Sequence, residues 1–314
     1  MNRCLFCYKP LVENEVDFHR SCSKKMFGQA APPVLPYEEA DLEILAKEVI
    51  QSRIAVTGVQ AKLSLHITGN HQGEDVKRFT IVGLWGGYIL KPPTSVYQQL
   101  PEVEDVTMHL ASLAKIKTAP HSLIRMASGN LAYITKRIDR TKKGKLHMED
   151  MCQLTERLTE DKYNGSYEQI GKAIQKYSAT AGLDLVNFFE LVLFSFLTGN
   201  ADMHLKNFSL LEQPELGMVL SPAYDLVNTS LVNPADDEDL ALNLNGKKKK
   251  IKKEDFTAAM NTLSLDEKQQ QNIFAKMEKA KSKWMEQIDI SFFSAEFKEQ
   301  YKNIVAERFD RINK

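Results

Sequence analysis

Apolar residues recur at helical spacing near the start of the chain, where Leu42, Ile44, Leu45, Val49 and Ile50 form one stripe over residues 38–50. The period then shortens. Residues 61–67, 78–82 and 88–91 read as strands, the first pair joined by a turn at Gly69-Asn70. A helix is predicted over 101–115, with Pro101 and acidic residues in its first turn. Two further strands, 122–126 and 131–136, are linked by Ser128-Gly129-Asn130. Beyond residue 140 the pattern turns helical, at 167–177, 185–197 and most of 254–311, with short strands and loops over 204–250. A strand-rich first part followed by a helix-rich second part predicts an α+β fold of two lobes.

The 314 residues suffice for two lobes of ordinary domain size. Lys and Arg number 41, as do Asp and Glu, so net charge points to no polymer partner, and no direct nucleic-acid contact is required. The most apolar stretch, 183–197, is interrupted by Asp184, Asn187 and Glu190, which argues against a membrane span. The first residues carry no apolar signal core, and the four cysteines suggest no disulfide framework. A cytoplasmic protein is expected.

The candidate chemistry centres on Gly199-Asn200-Ala201-Asp202-Met203-His204-Leu205-Lys206-Asn207. Asp202 and Asn207 have the D-x-x-x-x-N spacing of a kinase catalytic loop, in which the Asp takes a hydroxyl proton and the Asn oxygen binds magnesium. The spacing alone recurs by chance, and such residues often serve as caps or turns. Other positions give it weight by their order. Asp225, in Ala223-Tyr224-Asp225-Leu226, is placed to be a second magnesium ligand. Lys91 ends an apolar strand, where a lysine needs a partner, and Glu104 follows 13 positions later on the next predicted helix. Upstream, Thr57-Gly58-Val59-Gln60-Ala61-Lys62 offers one glycine that would let backbone approach a phosphate; a hairpin turn explains the same residues.

Together these segments resemble the HipA-like serine/threonine kinases. Ser52 to Leu63 is similar to their S-x-x-G-x-Q-x-K loop, Tyr88-Ile89-Leu90-Lys91-Pro92 to their ATP-lysine strand, and Ile134 to Arg140 to their E-R-F-D-R segment. His147-Met148-Glu149-Asp150-Met151-Cys152-Gln153 resembles H-Q-E-D-F-C-Q, and the 200–207 and 223–226 segments complete the series. The resemblance spans about residues 50–310. It implies an ATP- and Mg²⁺-dependent toxin of a bacterial toxin–antitoxin system that phosphorylates an aminoacyl-tRNA synthetase. Asp202, Lys91 and Glu104 would be its catalytic residues. Thr57, Gly58, Val59, Gln60, Lys62, Lys91, Lys136, Lys206, Asn207 and Asp225 would contact the nucleotide or its metal. With only about fifty residues before the phosphate loop, the chain resembles the short HipT form, whose partners would be a small HipS-like antitoxin and a HipB-like DNA-binding protein. The loop serine of the family is Ala55 here, so Thr57 is the expected autophosphorylation site, with Ser52 as fallback.

Cys4-Leu5-Phe6-Cys7 and His19-Arg20-Ser21-Cys22 form C-x2-C-x11-H-x2-C, two chelating pairs suited to tetrahedral structural zinc. The expected organisation is a zinc-knuckle-like segment over 1–30, a strand-rich lobe with the ATP loop and lysine over 31–140, and a helical lobe with the catalytic loop over 141–314. Cys152 reads as a small buried hydrophobe, and His66, His71, His109 and His121 show no ligand spacing and read as incidental. The basic run Lys247–Lys250 follows an Asn-Gly turn and reads as a solvated hairpin, with a nucleic-acid docking patch as its alternative. Two other function classes stay open at this point. One is a catalytically weak kinase-fold regulatory module acting with a DNA-binding antitoxin; the other is a small-molecule kinase on a related fold.

Overall fold

A computed structural model describes residues 2–42, 44–45, 62–69, 77–82 and 86–314. The chain divides into two compact units, one of residues 1–105 with 119–138 and one of residues 106–118 with 139–314.

The first unit is built on a five-stranded antiparallel sheet. In chain order its strands are β1 (Leu63–Thr68), β2 (Arg78–Ile81), β3 (Tyr88–Lys91), β4 (His121–Arg125) and β5 (Leu131–Lys136). Their spatial order is β2-β1-β3-β5-β4, which makes β3 the middle strand. Alternation in β1 puts Leu63 and Leu65 inward and leaves His66 exposed, as a half-buried strand requires. Tyr88, Leu90 and Lys91 of β3 are all buried.

Ahead of the sheet lies helix α1 (Arg20–Phe27), which ends on Gly28 at φ +76°, the left-handed conformation that closes helices most readily with glycine. Phe27 joins Phe18, Phe79 and Tyr88 in a cluster of mostly edge-to-face rings with centroids 5.3–6.1 Å apart, so the N-terminal segment shares the core of the sheet. The segment also covers the β4 edge. Leu5 O accepts from Ser122 Oγ at 3.1 Å and from Leu123 N at 3.3 Å. Of the helix predicted over 38–50, residues 39–42 and 44–45 are helical and 46–50 lie outside the described residues. Helix α2 (Leu100–Leu113) occupies the span predicted as 101–115; the boundary between the two units falls within it, after Asp105.

The second unit is organised around helix α5 (Ala181–Leu197), whose residues 188–197 are buried on every side. A helix apolar all round has to be surrounded. It is packed by α4 (Tyr167–Tyr177), α8 (Glu267–Asp289) and α9 (Ala295–Asn313), with Trp284 edge-on to Phe194 at 5.3 Å. A three-stranded sheet, β10-β9-β8, joins Met148–Asp150 (β8), Ser209–Gln213 (β9) and Gly217–Leu220 (β10). The short ribbon β6 (Arg140–Thr141) with β7 (Gly144–Lys145) precedes it. Shorter helices of this unit are α3 (Met151–Leu154), α6 (Thr229–Val232) and α7 (Lys253–Thr262). Strand β8 has no counterpart in the hydropathy pattern, because a three-residue Met-Glu-Asp strand shows no alternation.

The Asn-Gly turn forms as expected. Asn245 and Gly246 have φ of +50° and +75° between the bridged Leu244 and Lys247. Three of the four lysines that follow are paired within the unit, Lys247 to Asp255, Lys248 to Glu238 and Lys249 to Asp237. Local neutralisation favours the solvated hairpin over a docking patch.

Candidate active site

In the first unit, Lys91 closes the central strand and directs its ammonium to both oxygens of Glu104, at 2.6 and 2.7 Å. Both groups are nearly sealed, at 4% and 1% exposure. A buried ammonium is tolerated only beside an opposite charge, and the sequence supplies one on the first turns of α2. The Tyr133 ring on the adjacent strand lies 5.5 Å from the Lys91 nitrogen. Lys136, at the end of β5, lies 6.0 Å over the Tyr88 ring. Lys62 is exposed just before β1. Ser52, Thr57, Gly58, Val59 and Gln60 lie outside the described residues.

In the second unit, α5 stops at Gly199, whose φ of +70° turns the chain sharply. A Cβ there would come within 2.7 Å of Asn228 Oδ1, so only glycine fits without a shift. The loop that follows is held by its own polar groups. Asn200 Oδ1 accepts from Asp202 N at 3.1 Å, Thr229 Oγ1 accepts from Ala201 N at 2.8 Å, and Asp202 O accepts from His204 N at 2.8 Å. Residues Leu205–Asn207 form a 3₁₀ turn. The buried Asn207 donates through Nδ2 to Asp202 O at 3.0 Å. Its donor side is thereby committed to the loop, and Oδ1 is the end that could hold a cation.

Asp225 has φ +60°, a conformation a residue with a side chain keeps only when its neighbours impose it. They do so here: Ala223 N donates to Lys117 O at 2.8 Å, and the Tyr224 hydroxyl reaches Ser209 Oγ at 2.6 Å and Lys206 O at 3.1 Å. Burial pushes the Tyr224 phenol well up, keeping it a neutral donor. Burial also lowers the His204 imidazole, with Asp202 and Asp225 acting in the opposite sense. Both carboxylates therefore lie within electrostatic reach of one ring. Asn207 and Asp225 are hard oxygen donors of the kind Mg²⁺ takes.

The His147–Gln153 motif acquires a structural meaning. Asp150 caps α3 in a reciprocal box with Gln153 and also receives the Lys206 ammonium at 2.6 Å. Met151 N donates to Phe208 O at 3.0 Å, and Met151 and Cys152 are buried. The motif is the floor on which the end of the 199–207 loop lies. Lys206, expected at the nucleotide, is engaged with Asp150 in this arrangement.

Two features were not found from sequence. The hydroxyl of Tyr163 donates to Asp202 Oδ1 at 2.5 Å, and its ring meets His204 edge-on at 5.0 Å. In the first unit, His121 is buried with Nδ1 2.7 Å from Asp105 Oδ1, while the Tyr8 hydroxyl donates to Asp105 Oδ2 at 2.7 Å. His121 therefore has a defined structural partner and is not incidental.

The N-terminal cysteine pattern converges. Ligand atoms of Cys4, Cys7, His19 and Cys22 all lie within 4.8 Å of one another. His19 Nδ1 is 3.3 Å from Cys7 Sγ and 3.7 Å from Cys22 Sγ. Tetrahedral zinc, with bonds of about 2.3 Å to sulfur and 2.0–2.1 Å to nitrogen, separates such ligands by about 3.6 Å. His19 Nε2 lies 3.0 Å from Pro10 O; donation there leaves Nδ1 as a lone pair toward the sulfurs. Burial works against ionisation of the thiols and takes Cys22 up to about 12; at Cys4 the backbone amides of His19, Phe6 and Cys7 outweigh it and bring the thiol down.

Comparison with known proteins agrees with this architecture. The family model of the HipA-like C-terminal domain matches residues 54–284. Y4dM of Sinorhizobium fredii, named as a candidate kinase, is 33% identical over 214 residues, 64% of this chain and 50% of Y4dM. The chain thus spans about half the length of that relative. A candidate kinase of Haemophilus influenzae is 30% identical over 251 residues, covering 73% of this chain and 69% of the relative. Among solved structures, HipA of the Shewanella oneidensis MR-1 toxin–antitoxin system, in complex with HipB and its operator DNA, superposes with a TM-score of 0.69 at 22% identity, over 89% of this chain and 72% of that one. The proinflammatory kinase CtkA of Helicobacter pylori gives 0.52 at 17% identity, over 72% and 87%. The structural likenesses bear on the fold, and the family match, which covers most of the sequence, carries the assignment: the chain belongs to the HipA-like family.

Proposed function

We propose that this protein is an ATP-dependent serine/threonine protein kinase, the toxin of a bacterial toxin–antitoxin system. Its substrate would be an aminoacyl-tRNA synthetase, and its partners a small HipS-like antitoxin and a HipB-like DNA-binding protein, in the cytoplasm. The observation that carries the reading is the loop in which Asn207 Nδ2 is tied to the carbonyl of Asp202. That tie commits one end of the amide and leaves its oxygen for a cation, five residues from a carboxylate able to take a proton.

In this reading Asp202 accepts the proton of the acceptor hydroxyl as its oxygen attacks the γ-phosphorus of ATP, and ADP departs with the bond it held. Asn207 and Asp225 would hold magnesium, which when bound offsets negative charge on the phosphates. Lys91, oriented by Glu104, would fix the phosphates of the nucleotide. Thr57 is the residue proposed to receive phosphate from the enzyme itself. Cys4, Cys7, His19 and Cys22 would hold one structural zinc, their three sulfurs and one nitrogen closing the coordination with no open position.

Mass spectrometry of phosphorylated proteins after brief induction, with an Asp202→Ala strain as control, tests the reading. The expected result is new phosphoserine or phosphothreonine on a synthetase, and phosphate on Thr57, only with intact Asp202. Equal phosphorylation in both strains would remove Asp202 as the base.

A further inference from the structure

The N-terminal knuckle and the Lys91–Glu104 pair meet on one helix. Residues 3–10 form a tight loop: Cys4 N donates to Lys9 O and Tyr8 N to Cys4 O, both at 2.9 Å, and Arg3 bridges to Pro10. Cys4 and Cys7 sit within this loop and Tyr8 follows at once. Tyr8 has φ +61°, a strained value for an aromatic residue, fixed in part by the Arg3 guanidinium donating to Tyr8 O at 2.9 Å. The side chain is fully buried and ends on Asp105 Oδ2. Asp105 is also fully buried, and its other oxygen meets His121 of β4. It directly follows Glu104 on α2.

The first turns of α2 are therefore held at two adjacent positions. Glu104 is fastened to β3 through Lys91, and Asp105 to the knuckle and β4 through Tyr8 and His121. A buried carboxylate held by specific donors fixes the helix rotation, because any turn of α2 would strip it of partners in a medium that does not replace them.

We infer that Tyr8 is a positioning residue for the Lys91–Glu104 pair, and that a zinc ion on Cys4, Cys7, His19 and Cys22 is what keeps Tyr8 in place. The metal closes the loop that imposes the positive φ of Tyr8. Without it three thiols and an imidazole crowd one another, the loop relaxes, and the Tyr8 hydroxyl leaves Asp105. Metal occupancy is thereby coupled to the affinity for nucleotide. This rests on the kinase reading for Lys91 and on the zinc reading of the cluster.

The test uses the full chain as wild type, Tyr8→Phe and Lys91→Ala. Metal is measured by elemental analysis, the affinity for Mg-ATP by calorimetry, and helix order by amide hydrogen exchange over residues 100–105. Tyr8→Phe keeps the four ligands and the buried ring and loses one hydroxyl. It is expected to retain one zinc per chain, to exchange faster at 100–105, and to bind Mg-ATP about 3–10-fold more weakly, the scale of one buried hydrogen bond. Chelator-treated wild type should match it, and chelation of Tyr8→Phe should add little. Wild-type exchange and affinity in zinc-loaded Tyr8→Phe would overturn the inference. Zinc absent from freshly prepared wild type would instead end the metal reading. Unchanged Mg-ATP affinity in Lys91→Ala would end the nucleotide reading. Either result ends the coupling too, by a distinguishable route.

Discussion

The hydroxyl of Tyr163 donates to Oδ1 of Asp202 at 2.5 Å, so one oxygen of the proposed base is occupied and the other is set by it. Burial, followed by the bond to Asp202, pushes the Tyr163 phenol well up, which keeps the proton on tyrosine. The contact fixes one oxygen of Asp202, so in the proposed reaction Oδ2 would be the oxygen that meets an acceptor hydroxyl.

Tyr163→Phe should therefore slow phosphate transfer without weakening nucleotide binding. Loss of one orienting hydrogen bond, about 0.5–1.5 kcal/mol, corresponds to a fall of about 2–10-fold in the single-turnover rate of autophosphorylation. The KM for ATP should not change, because the hydroxyl contacts the base. Asp202→Asn, which cannot accept the proton, should lose about 10²–10⁴-fold. A Tyr163→Phe enzyme with a wild-type rate would show that Asp202 needs no such orientation.

Tyr163 also shows where sequence reading stops. Lys91 and Glu104 could be paired on paper, because a lysine ending an apolar strand demands a carboxylate and the next predicted helix offers one. The 199–207 loop was legible as a unit for a similar reason, its residues being close in sequence and flanked by a strongly apolar helix. The partners that orient these groups are not local. Tyr163 lies 39 residues from Asp202, Tyr8 lies 97 from Asp105, and Lys206 lies 56 from Asp150. Nothing in hydropathy marks such pairs, since a tyrosine that shields a carboxylate and one that packs a core have the same pattern. Strand β8 escaped for a related reason: it forms by pairing with the distant β9.

The Lys91–Glu104 pair separates stability from function. Lys91→Met leaves a carboxylate buried without its cation, which costs about 3–5 kcal/mol, while Lys91→Met with Glu104→Leu removes both charges and restores much of that loss. Urea unfolding should thus rank wild type and the double variant close together and Lys91→Met well below them. Calorimetry with Mg-ATP should show weakened binding in both variants, because neither offers an ammonium to phosphate. A double variant that regained nucleotide affinity along with stability would mean that Lys91 serves only the fold.

The C-terminal helix is fastened by one buried carboxylate whose titration can be followed. Asp239 is 5% exposed and accepts from Arg311 at 2.6 and 3.0 Å, from Ile251 N at 3.0 Å, and from Arg308. Burial alone would raise its pKa; the Arg311 and Arg308 guanidinium groups and the Ile251 amide outweigh it and hold the carboxyl below its usual value. A depressed carboxyl adds stability that is present above the unfolded pKa of about 3.9 and disappears as pH falls through the lower folded value. Asp239→Asn removes the charge and leaves both arginines without it, so the variant should be about 3–5 kcal/mol less stable at pH 7. The gap should persist to about pH 5 and close progressively below pH 4, where wild-type Asp239 takes up its own proton. Taking the difference between the two proteins at each pH cancels the other carboxylates, which titrate in both. Urea midpoints at pH 7, 5, 4 and 3 give the measurement, and a gap that stays constant down to pH 3 would show that Asp239 contributes through shape and hydrogen bonding without its charge.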